Sequence, residues 1–323
     1  PVLDHAGLDT RRREQDLSKQ TFWHLPRGYG DMPITAGLTV FAAILIPAIF
    51  YVILSVREKR NVKTLSEFFP LTRFLDKKAY GRSTAAAGVS LATVILALVN
   101  LSPVFGLGLL VTILSYAASF LILFVCAEII LRKNAANETL QAVLGKEYNS
   151  PLLTKVAFLF SFIGYISIFS MELIVGATVL EPFLGNKTLI FSALYLAFII
   201  LYSSISGFRA IVATEQWQIR FVIGAVLALA SLVPILWLNT SPTPHFGDIA
   251  SKVIESSTFS WAFVLGIVVM NLPAPLSDAA TWQRLCSTAS EADAKRGLLR
   301  AILLFVCIWG SLIVGSCIIS VVA

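Results

Sequence analysis

The chain has 323 residues, 57% of them hydrophobic and only 14% charged, with a mean hydropathy of +0.80 and a formal net charge of +6. A soluble globular domain carries about 25% charged residues, so the composition excludes that class and calls for a lipid bilayer as the partner. The positive balance does not mark a nucleic-acid binder, because the cations sit between apolar runs rather than on one continuous surface.

Lys and Arg are absent from the windows 34–56, 84–131, 156–181, 188–208, 221–239, 260–283 and 301–323. A spanning helix needs about 20 apolar residues. Window 84–131 is too long for one span and contains NLSPVFGLG (100–108), whose Pro and Gly predict a turn. Splitting it into 84–101 and 105–131 gives about eight transmembrane helices. With the N-terminus outside, the inner loops 57–83, 132–155, 209–220 and 284–300 carry 8, 4, 2 and 4 Lys/Arg, and the outer segments 1–33, 182–187 and 240–259 carry 5, 1 and 1. That is the positive-inside bias, and a bacterial cytoplasmic membrane is the expected location.

Taken in order, residues 1–33 form a polar extracytoplasmic segment in which Phe22, Trp23 and Tyr29 suit an interfacial aromatic anchor. Residues 34–56 are a leading span with a kink expected at Pro47. Loop 57–83 is basic and cytoplasmic, with a short amphipathic piece. Spans 84–101, 105–131, 156–181, 188–207 and about 217–239 follow, with a short inner helix expected at ETLQAVLGKEY (138–148). An outer loop occupies 240–259, and 260–323 holds the last two spans. Cys126, Cys307 and Cys317 fall within spans and Cys286 on an inner loop, so no extracytoplasmic disulfide is expected. The sequons at Asn186 and Asn239 are short patterns that arise by chance.

The spans carry polar stripes at helical spacing: Ala86, Ser90, Thr93, Ala97 and Asn100; Gly108, Thr112, Ser115 and Ser119; Ser161, Tyr165, Glu172 and Gly176. Small residues allow close helix packing in membranes, and polar ones also line pathways; each stripe is open to both readings. Glu172 lies well inside its span, where an acid costs about 2.5–3.5 kcal/mol on insertion scales. It needs a partner, a proton or an ion, and its role is ionic or structural. In NLPAPLSDAATWQR (271–284), Pro273 and Pro275 interrupt a span and Asp278 follows the interruption.

Three segments resemble the sodium:solute symporter family, which includes sodium/glucose, sodium/proline and sodium/sialate transporters. SISGFRAIVATEQWQ (204–218) is similar to the signature before core helix five, with Gly207, Ala210, Thr214 and Gln218 matching and Glu215 in place of Asp. NLPAPLSDAATWQRLCSTASEADAKRGLL (271–299) resembles broken core helix six, matching at Asn271, Gln283, Arg284 and Gly297. AAAGVSLATV (85–94) is similar to the broken start of core helix one.

The resemblance implies an all-α membrane protein of the inverted-repeat leucine-transporter type. Residues 34–56 would be the leading helix, 84–239 the first five-helix repeat and 260–323 the first two helices of an incomplete second repeat, with further helices or a C-terminal module expected beyond. It implies a sodium ion held by the carbonyls of Ala86 and Val89, and Glu215 on the inner ion route. Ser90, Thr93, Tyr116 and Asn271 would line the site of a small organic solute. Asp278 would be an inner gate or a helix cap. Ala274 and Ala117 stand where sugar-transporting members carry an aromatic gate and a substrate-binding acid, so no sugar specificity carries over.

The implied function is sodium-coupled symport by alternating access. The alternative is a symporter-like sensor or scaffold domain joined to a signalling module, in which the eroded substrate positions would have no transport role. An enzyme is not expected. There is no nucleophile–base arrangement or phosphate loop, and His5, His24 and His245 all fall in outer segments.

Overall fold

The computed structural model describes residues 34–69, 72–90, 92–134, 138–184, 188–239 and 261–322. The expected N-terminal segment with its aromatic anchor, the outer loop 240–259, the three histidines and the sequon at Asn186 lie outside the described residues.

The described residues form an all-helical membrane protein with no β-strand among them. Four helices are long and apolar enough to cross a membrane, or six if each of two bent pairs counts as one span. The expected span 84–101 is not a continuous helix. The chain there is α3 (Lys77–Ala87), then a π-helical turn (Thr93–Val99), then the four-residue α4 (Ser102–Phe105), preceded by α1 (Ile34–Lys59) and α2 (Leu65–Phe68). Gly88 ends α3, Ser90 begins a new cap and Pro103 restarts the chain after Asn100, so no piece reaches spanning length. α3 also begins inside the stretch expected as a loop, because Asp76 caps it by accepting from the Lys78 and Ala79 amides at 3.0 and 2.7 Å.

After a 3-10 turn (Gly106–Leu109) come α5 (Leu110–Lys133), α6 (Leu140–Glu147), α7 (Pro151–Leu184), α8 (Thr188–Ser206) and α9 (Phe208–Asn239). The inner loop expected at 209–220 is thus helical. Gly207, at φ +59°, supplies a left-handed elbow that a single residue completes, and the chain bends there by 120°. The remaining elements are α10 (Trp261–Asn271), α11 (Ala274–Ser277), α12 (Ala279–Cys286) and α13 (Glu291–Val322). Cys286, expected on a loop, closes α12 and is buried.

α13 is the central pillar, packed against α3, α5 and α9. Leu98, Phe120, Phe305, Trp309 and Ile313 form its core, each under 5% exposed. Tyr116 joins that core by stacking on Trp309 at 5.0 Å between centroids and meeting Phe305 edge-on at 5.2 Å. α7 is the opposite case. Phe158, Phe160, Ile163 and Ile166 are all at least half exposed, and a helix apolar all round with an uncovered surface belongs against lipid.

At the end opposite the break, Phe74 and Leu75 donate their amides to the Ser287 carbonyl at 2.8 and 2.9 Å, and Ala289 donates back to Leu75 at 2.8 Å. This short parallel bridge holds the start of α3 beside the start of α13. Tyr80 is fully buried in the same joint, and its burial pushes the phenol well above its usual range.

Candidate functional site

Two interruptions of helical backbone, one at 88–90 and one at 272–278 around the one-turn α11, each meet polar side chains from a neighbouring helix. At the first, the Gly88 and Val89 amides close onto the Ala85 and Ala86 carbonyls at 3.2 and 3.1 Å. Ser90 Oγ then accepts from the Thr93 amide at 3.1 Å and donates to Thr93 Oγ1 at 2.9 Å, capping the resumed helix. The Ala92 amide has lost its helical partner and donates to both carboxylate oxygens of Glu172 on α7, at 3.4 and 3.2 Å. Glu172 therefore satisfies a backbone donor that lipid would leave bare. It also lines a cavity of about 260 Å3 with Ile44, Gly176, Ser192 and Tyr195.

At the second interruption α10 stops at Asn271. The Asn271 side-chain amide donates to Ser115 Oγ at 2.9 Å and to the Thr112 carbonyl at 3.4 Å on α5. Ser119, one turn further along the same stripe, donates to the Leu272 carbonyl at 2.5 Å. That carbonyl belongs to the non-helical residues between α10 and α11, and its helical partner, the Leu276 amide, donates instead to the Pro273 carbonyl at 3.1 Å.

Below the break, Asp278 is the N-cap of α12. It accepts from the Ala280 amide at 3.3 Å, the Thr281 amide at 2.7 Å and Thr281 Oγ1 at 2.6 Å. Tyr165, from the polar stripe of α7, donates to Asp278 at 2.7 Å and accepts from the Ala280 amide at 2.9 Å.

One aromatic cluster lies between the two interruptions. A Cβ on Gly88 would stand 2.2 Å from Phe305 Cε1, so this glycine lets the first interruption lie against the ring. Phe305 meets Tyr116, and Tyr116 is the neighbour in sequence of Ser115, which holds Asn271. Ala86, Val89 and Tyr116 thus belong to one packed region, and Asn271 joins it through Ser115. Glu172 and Tyr165, both on α7, bind the two interruptions separately.

Glu215 is elsewhere. It lies on α9 in a buried pair with Arg284 of α12, with Nη2 to Oε1 at 2.5 Å, Nε to Oε2 at 3.4 Å, and side chains 10% and 9% exposed. Ser83 of α3 donates to the same carboxylate and accepts from Arg284 Nε at 3.2 Å. Arg284, expected at the head of a solvated inner loop, is instead the cation of this buried triad. α12 starts at the Asp278 cap and runs on past it, carrying it inside. Nothing in the letters pairs these groups; the available signal is that an Arg six residues after a carboxylate cap falls within the capped helix.

Comparison with protein-family models, with curated proteins and with solved structures finds no match for this chain.

Proposed function

We propose that this chain belongs to a sodium-coupled secondary transporter for a small organic solute. The proposed architecture is the inverted-repeat leucine-transporter type, with the N-terminus outside and about eight spans. The observation that carries this reading is the Asn271–Leu272 interruption, held by Ser115 and Ser119 of α5. Broken helices at membrane depth are tolerated only beside protein or a cavity, and their freed amides and carbonyls bind ions and solutes. A helix interrupted at 88–90, whose resumed end at Ala92 is capped by an intramembrane acid, Glu172, supplies a second such element. On this reading Ala86 and Val89 offer carbonyls to sodium, while Ser90, Thr93, Tyr116 and Asn271 face the solute. Glu215 stands on the inner ion route, held in reserve by Arg284.

The test uses the protein expressed from its complete reading frame, reconstituted in vesicles with an inward sodium gradient and screened with amino acids, sugars and carboxylates. Asn271→Ala and Asp278→Asn are the informative substitutions. Asn still caps a helix, so Asp278→Asn removes the charge while keeping the fold. The expected result is sodium-dependent accumulation, reduced at least tenfold by Asn271→Ala, a loss of about 1.4 kcal/mol at the solute or transition state. Uptake that both substitutions leave untouched would assign the interruption to packing alone.

A further inference from the structure

Lys78, Arg82 and Arg300 surround a cavity of about 300 Å3 between α3 and α13, completed by Leu303 and Leu304. The two helices touch there because each carries a glycine at the contact. A Cβ on Gly81 would stand 2.8 Å from the Gly297 carbonyl oxygen, and one on Gly297 would stand 2.4 Å from Tyr80 Cδ1. Real side chains do not approach so closely, so glycine at both positions is what brings the flanking cations together. Lys78 and Arg82 are one turn apart on α3, and Arg300 lies one turn beyond Gly297 on α13.

Five other cations of this side are matched. Arg132, Lys133, Lys146, Lys295 and Arg284 are each in an ion pair with a glutamate. Lys78, Arg82 and Arg300 form no ion pair among the described residues, and no carboxylate lines their cavity. Three like charges around one cavity repel unless an anion joins them.

Their depth identifies the anion. Arg82 is the last charged residue before a charge-free stretch, 83–127, and Arg300 the last before another, 301–323. Both cations therefore stand where their helices leave the polar region, at the level of lipid phosphates. One turn deeper, the exposed face of α13 is apolar, with Leu303 64% exposed. We infer that this cavity binds the phosphate-bearing headgroup of an anionic phospholipid, with the arginine forks on phosphate oxygens and an acyl chain along Leu303. A free phosphate would use the cations but leave the apolar lip without purpose. The inference stands apart from transport, since it uses none of the residues of the two interruptions.

The experiment titrates the delipidated, detergent-purified protein with phosphatidylglycerol, with phosphatidylcholine, and with inorganic phosphate, and follows the thermal midpoint at fixed ionic strength. Phosphatidylglycerol is expected to raise the midpoint saturably, with neither phosphatidylcholine nor phosphate doing so. Arg82→Gln and Arg300→Gln should each weaken the apparent affinity about fivefold, the equivalent of about 1 kcal/mol per cation, and Lys155→Gln, at an exposed position on α7, should not. If an arginine variant does not fold, Lys78→Gln, at an exposed position on α3, reads the same effect. An equal response to inorganic phosphate, an equal response to phosphatidylcholine, or an unchanged phosphatidylglycerol affinity in these variants would each overturn the assignment.

Discussion

Replacing Arg284 with Met is expected to cost about 3–5 kcal/mol of stability, the range for removing one partner of a buried ion pair. The loss arises less from the bond than from what remains. Glu215 is 8% exposed and would keep only the Ser83 hydroxyl as a donor. The rescue is diagnostic: Arg284→Met combined with Glu215→Leu removes both charges, and stability should return to near that of the parent. Arg284→Lys should fall between, because an ammonium cannot reach both carboxylate oxygens and Ser83 at once. Equilibrium unfolding in mixed micelles measures all three. If the single and double substitutions cost the same, the pair is not what holds α3, α9 and α12 together.

Gly207→Ala is the second large effect. An L-residue in the left-handed region costs about 1–2 kcal/mol, and Gly207 sits there at φ +59°. The added methyl would also stand 2.2 Å from the Phe68 carbonyl oxygen and 2.9 Å from its ring. Backbone is not displaced as easily as the end of a side chain, so a further 1–3 kcal/mol of overpacking follows. The elbow between α8 and α9 should loosen, exposing Gly207 and Phe208 to proteolysis in detergent. Retention of parental stability and protease resistance in Gly207→Ala would contradict the tight approach of Phe68 to the elbow.

The class of fold was legible because lipid imposes it on composition. Windows of spanning length without Lys or Arg, and prolines inside them, are properties of letters alone. The short helix around ETLQAVLGKEY was legible too, and Thr139 caps it by accepting from the Ala142 amide at 3.3 Å. Boundaries set by single residues were harder. Helix α9 starts at Phe208 rather than near 217 because one glycine takes a positive φ, and residues 209–220, polar enough to resemble a loop, pack against α3 and α13 instead.

Long-range partners were not legible at all. Ser115, Ser119 and Tyr165 were visible as stripes, yet that Ser115 takes Asn271 and Tyr165 takes Asp278 depends on how helices more than 100 residues apart in sequence are laid together. Glu215 and Arg284 are 69 residues apart, and their charge pattern reads equally well as two solvated inner segments. Burial of a charge is decided by packing, which one-dimensional periodicity does not encode.

Sodium binding at the interrupted helices, as proposed above, can be tested without knowing the solute. The protein from its complete reading frame is purified and its thermal midpoint followed as sodium replaces potassium at constant ionic strength. A saturable rise with sodium is expected, growing as RT ln(1 + [Na+]/Kd), with none for potassium or choline. Superimposable curves for sodium and potassium would contradict it.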